Sequence, residues 1–166
     1  MEYPKREKLQ SELYEALKKG LLERHQGIFE VKKKEDEGEV LLRKLYLEPQ
    51  EGCVPEEFIG DELLYSIKSK YYEFFGVIRD RLQSEYLEKK NIHHPPIAIY
   101  VDPSYEDTTS VVITFQNCAL LEHQSKAWNF IWSSKAELQK EMADLYYRMR
   151  DRLNEYFLEG IRYEKE

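Results

Sequence analysis

Ile97-Ala98-Ile99-Tyr100-Val101, Val111-Val112-Ile113-Thr114-Phe115 and Ala127-Trp128-Asn129-Phe130-Ile131-Trp132-Ser133 lie in one stretch from Pro95 to about Glu137, and their reading decides the fold. The first run is short, apolar and β-branched, and Pro95-Pro96 blocks a helix from entering it. Asp102-Pro103-Ser104 supplies turn chemistry, so the second run reads as an antiparallel partner of the first. The third run alternates strictly, which puts Trp128, Phe130 and Trp132 on one face and Asn129 and Ile131 on the other.

At Ser134 the period changes. Ser134 and Glu137 have the spacing of a capping box, in which each side chain satisfies a free backbone N–H. Leu138, Met142, Leu145, Met149, Leu153 and Tyr156 then recur at steps of three and four, the stripe of one long helix.

The flanks extend the pattern. Leu9, Leu13, Leu17 and Leu21 repeat every four residues behind Pro4, which predicts a helix within 1–26. Ile28-Phe29-Glu30-Val31, the turn Glu35-Asp36-Glu37-Gly38 and Val40 to Leu47 read as a hairpin over 27–48. Asp61 is a good N-cap for a helix over 61–90, with Leu64, Ile67, Tyr71, Phe74, Phe75, Ile78, Leu82 and Tyr86 as its stripe. Three strands over 96–133 and a helix over 134–164 complete the order α-β-β-α-β-β-β-α. The predicted fold is a single α+β domain over 1–166, a mostly antiparallel five-stranded sheet carrying long helices.

Composition narrows the functions. The chain has 166 residues, enough for one domain, and 42% hydrophobic with 13% aromatic residues builds a real core. A net charge of −7 argues against nucleic acid and against an anionic membrane surface, both of which recruit Lys and Arg. The basic run Lys32-Lys33-Lys34 is followed at once by acidic residues and reads as a solvated hairpin tip. Cys53 and Cys118 are too far apart for a zinc ligand set and read as reduced thiols of a cytoplasmic protein.

No catalytic or metal constellation stands out, and no cofactor is expected. His93-His94 on an extended chain point to opposite sides, and His25 and His123 are isolated. Glu56-Glu57 and Asp61-Glu62 fit helix first turns, where the macrodipole favours negative charge. The tyrosines, by contrast, join an apolar body to a polar tip and suit a partner surface. The last helix spans roughly 45 Å, against about 30–35 Å for a compact domain of this length. Part of it should overhang, which favours a protein partner, in a homodimer or a heterodimer. Trp128, Trp132, Met142, Tyr146, Met149, Leu153, Tyr156 and Phe157 are the candidate partner-binding residues.

Trp128-Asn129-Phe130-Ile131-Trp132-Ser133-Ser134 resembles the Trp-Asn-Gly-Arg-Trp-Arg-Ser signature of the α subunit of F-actin-capping protein, with Trp128, Asn129, Trp132 and Ser134 at matching places. The resemblance implies a pseudo-symmetric dimer with paired sheets and long antiparallel helices across them. It also implies a cytoskeletal setting, with actin or an actin-related assembly as partner and Trp128 and Trp132 anchoring the sheet. The expected function is thus a non-enzymatic, dimeric interaction subunit. Two alternatives stay open: a small acidic secretion-type chaperone that wraps an extended client, and an enzyme whose site is assembled from scattered residues.

Truncating the second tryptophan tests the strand reading. Trp132→Ala should cost about 3–5 kcal/mol in urea denaturation, the range for a buried aromatic. A loss below about 1 kcal/mol would remove the Trp-rich strand from the core.

Overall fold

The structure is a computed structural model that describes residues 5–24, 34–47, 61–93, 97–103, 108–125 and 134–165. Among these, four helices and a three-stranded antiparallel sheet form an α+β fold. The helices are α1 (Arg6–Arg24), α2 (Lys34–Leu42), α3 (Asp61–Leu82) and α4 (Lys135–Lys165). The strands are β1 (Ala98–Pro103), β2 (Thr109–Phe115) and β3 (Cys118–Ser125), in the order β1-β2-β3.

The sheet buries one face. Ile99, Val101, Val111, Ile113, Phe115 and Leu121 point inward under α3, which lies over β1, and α4, which lies over β3. The opposite face carries Tyr100, 59% exposed, in register with Val112 and Glu122. Above the helix pair, α1 crosses both α3 and α4, and α2 packs on α1. The four leucines of α1 are fully buried there, as their spacing requires.

Local chemistry sets the element ends. Ser134 Oγ accepts from the Glu137 N–H at 3.1 Å and caps α4. At the far end of α3 the chain widens through a π-helical turn, Gln83–Leu87, and a short 3-10 turn, Glu88–Lys90. Asn91 then adopts φ 59°, and the Ile92 N–H reaches the Leu87 carbonyl at 2.9 Å. Asparagine tolerates this left-handed conformation, so the helix stops where Lys89 and Lys90 place its C-terminus.

The expected five-stranded sheet is not what forms. The segment read as a return strand, Val40 to Leu47, is helical: α2 runs to Leu42 and a wide turn continues over Arg43–Leu47. Leu41, Leu42 and Tyr46 are buried and Leu45 is packed against the core, a helical rather than an alternating set. Gly38 does not turn the chain. It lets α2 approach α1, where Tyr14 donates to Glu39 Oε2 at 2.6 Å; in the wide turn beyond, Tyr46 donates to the Lys70 carbonyl of α3 at 2.8 Å.

The third strand also differs. Cys118–Ser125 pairs with β2 through a two-residue turn in which Gln116 and Asn117 both have positive φ, 49° and 65°. A bulge leaves Leu120 outside the register between Thr114↔Ala119 and Ile113↔Leu121. The strands expected at Ile28–Val31 and Ala127–Ser133, including Trp128 and Trp132, lie outside the described residues.

Gly38 offers a direct test of the α1–α2 approach. Glycine to alanine inside a helix normally gains up to about 1 kcal/mol. Here the added Cβ would overlap Lys18 Cγ and stand 3.1 Å from Leu22 Cδ1. Gly38→Ala should instead lose about 1 kcal/mol in urea denaturation, through overpacking. Adding Lys18→Ala to Gly38→Ala should recover most of that loss.

Candidate functional site

A cleft of about 440 Å³ opens between α1 and α3. On the α1 side, Leu13, Ala16, Gly20 and Glu23 recur along one helical face over three turns. On the α3 side, Val77, Asp80, Arg81 and, just beyond α3, Ser84 recur over about two turns. The cleft therefore runs lengthwise along the two helices rather than into the domain. Its floor is apolar, with Leu13 buried and Val77 half-buried, and its width comes from small side chains at Ala16, Gly20 and Ser84.

Charge lies along the walls. Arg81 is ion-paired to Glu12 across the cleft and to Glu85 one turn on. Glu85 in turn accepts from the Tyr146 hydroxyl at 2.7 Å, and Arg150 Nη1 donates to that same hydroxyl at 3.0 Å. The Arg150 guanidinium, 4% exposed, sits 5.7 Å from the Tyr86 ring centre and 5.9 Å from that of Tyr146. A continuous polar chain thus ties the cleft wall to the buried side of α4. At the mouth, Lys19 and Glu23 make no ion pair or hydrogen bond among the described residues.

The expected partner-binding residues fall elsewhere. Met142, Tyr146, Met149 and Leu153 are fully buried in the core of this chain. Tyr156 and Phe157 are half-buried, with their rings 5.4 and 6.0 Å from Phe115. The apolar side of α4 is therefore used internally as far as Phe157, and Leu158, 61% exposed, is the first large side chain beyond it to stand free.

Among the described residues, the histidines His93 and His123 and the cysteine Cys118 do not converge. His123 lies edge-on to Phe75 at 5.7 Å, with Nε2 3.7 Å from Glu141 Oε1. Among the described residues, its Nδ1 and the hydroxyl of fully buried Thr109 have no hydrogen-bond partner. His93 is exposed and Cys118 is a half-buried free thiol, whereas His25, His94 and Cys53 lie outside the described residues. Among the described residues no group of three or more His, Cys, Asp or Glu is placed to hold a metal ion, and no helix is long and apolar enough to cross a membrane.

With this geometry in hand, comparison with known proteins gives a likeness to solved structures. No family model matches the chain, and no curated protein matches it. A crystal structure from the cyanobacterium Cyanothece 51142, of a protein associated with nitrogen fixation from the DUF269 family, is similar at TM-score 0.61. Identity is 13%, over 87% of this chain and 88% of that chain, so the likeness is one of fold.

This finding overturns the resemblance to the F-actin-capping α subunit, and with it the cytoskeletal capping function. The physical reason is the weakness of the signal. Four matches in seven residues carry a local Trp-rich pattern, whereas the fold likeness covers nearly the whole chain.

The Tyr146 hydroxyl of this network, with those of Tyr14 and Tyr71 elsewhere in the core, yields a pH test. Burial, then the hydrogen bond to Glu85, holds the Tyr146 phenol protonated well past its usual range, against the opposing pull of Arg150. Burial and then Glu39 do the same for Tyr14, and burial outweighs the Ser125 contact at Tyr71. The folded chain keeps protons that the unfolded chain releases above about pH 10, so this stability is complete below that pH and is lost as pH rises. Absorbance near 295 nm should show these three phenols ionising only together with unfolding. Their smooth titration in a folded chain would contradict the network.

Proposed function

We propose that this chain is a non-catalytic accessory protein that receives a helix of a protein partner in the cleft between α1 and α3. The observation that carries the reading is the cleft itself: an apolar floor between two rows of side chains, with Lys19 and Glu23 at its mouth making no ion pair among the described residues. Helix-in-groove recognition uses such a surface, because an amphipathic helix presents anchors at the same three-to-four-residue spacing. Gly20 supports it from the sequence side. A glycine inside a helix costs about 1 kcal/mol relative to alanine, and at a cleft wall it lets another backbone approach closely.

The reading places the protein in the cytoplasm, in keeping with the free thiol of Cys118. For the biological setting we extend to this chain the association with nitrogen fixation named for its fold neighbour. The partner is then to be sought among proteins expressed under those conditions.

A photo-cross-linking amino acid placed at Ser84 should give one discrete protein adduct in the native host. The same residue at exposed Glu7 should not, and Ala16→Trp, which fills the cleft from an exposed position, should abolish the adduct. Equal adducts at both positions, or none, would remove the docking function. Growth of a deletion strain on dinitrogen against ammonium tests the setting separately, and equal growth on both would refute it.

A further inference from the structure

We propose that the partner helix runs antiparallel to α1 and carries a basic residue, an acidic residue four positions later, and apolar anchors beyond the acid; the inference rests on the helix-docking reading above and names the chemistry of the occupant. Five residues lining the cleft are charged. Arg81 and Glu12 neutralise each other across it, and Asp80 accepts from the neighbouring Arg79 guanidinium at 3.2 Å. Lys19 and Glu23 are left. Both are exposed, and neither makes an ion pair or hydrogen bond among the described residues.

The order of these two charges sets the direction of the partner. Lys19 precedes Glu23 by about one helical turn, and a lysine ahead of a glutamate at this spacing pairs less well than the reverse. A helix parallel to α1 would have to present an acid to Lys19 and then a base to Glu23. Within the partner that is the better-pairing order, so docking would compete with an internal ion pair. An antiparallel helix presents its base to Glu23 first and its acid to Lys19 next. Both helices then hold the poorly pairing order, and each leaves its charges to the other. The register follows along α1. Gly20, beside Lys19, has no side chain and admits the approaching backbone. Ala16 and then Leu13 follow toward the start of α1, within about 15 Å of Glu23 at the helical rise. Partner side chains three and six or seven positions after the acid therefore reach the apolar floor.

Two synthetic amphipathic helices, titrated with the full chain and followed by fluorescence anisotropy, test this. They share an alanine-based sequence and two leucine anchors and differ only in charge order: lysine before glutamate in one, glutamate before lysine in the other. Wild type should bind the lysine-first peptide roughly five- to tenfold more tightly at low salt, and the gap should narrow as salt screens these rim charges. The double variant Lys19→Glu with Glu23→Lys should reverse the preference. A misfolded variant would not give that reversal, and neither would a difference in helicity between the peptides. Equal affinity for the two peptides, binding of neither, or a preference that the double variant leaves unchanged would overturn the inference. If the Ser84 adduct persists in that case, the cleft still docks a helix and only the charge order falls. If the adduct is absent too, both readings fall.

Discussion

The guanidinium of Arg150 is the constraint on which the helical layer is built. A buried cation is tolerated only when its protons and charge are met, because taking it out of water costs several kcal/mol. Here the Tyr146 hydroxyl accepts one of its N–H groups and two aromatic faces flank it. The tyrosine passes the demand on to Glu85, Glu85 shares Arg81, and Arg81 reaches Glu12 on α1. Three helices that could slide on apolar contacts alone are thereby held in one register. The cleft wall is a by-product of the same chain of partners, which is why its position is fixed although its lining is small and open.

Much of this fold was legible. The stripe from Leu138 to Leu153, the cap at Ser134 and the helix end near Lys90 follow from spacing and end chemistry, and the structure places them as read. The first two strands were legible for the same reason: β-branched runs next to proline leave few alternatives. The failures have physical causes. Val40 to Leu47 can be written as an alternating strand, but the pairs Leu41, Leu42 and Leu45, Tyr46 bury more against α1 and α3 as a helix. Strand β3 hid behind a Gln-Asn turn, which lacks the glycine that usually marks such hairpins, and behind the bulge at Leu120, which breaks the alternation.

The cleft was not legible at all. Its width depends on what is missing at Ala16 and Gly20, which share a side of α1 with Leu13 and are masked in the sequence by the leucine repeat. Tertiary packing decides which side of an amphipathic helix remains uncovered, and a single helix cannot announce it. The capping-like motif shows the converse hazard. A short aromatic pattern is cheap to match, whereas a fold shared across nearly the whole chain at 13% identity is set by many weak preferences acting together. The neighbour therefore informs the architecture, and the residues that differ between the two chains leave each site to be argued on its own.

The wide turn at Gln83–Leu87 can be considered as counting rather than as energy. A π-helical turn holds an extra residue within an otherwise regular helix. Removing one residue there would close it to a regular α-helical turn and leave the phase of the helix beyond nearly unchanged, whereas removing a residue from α3 ahead of it would rotate everything beyond by about 100°. Tyr86 would then leave Asn154 and the Arg150 guanidinium, and Leu87 would leave the core. The wide turn is thus the place where this helix can absorb a change of length, and the regular stretch before it is where the alignment of α3 with α4 is set.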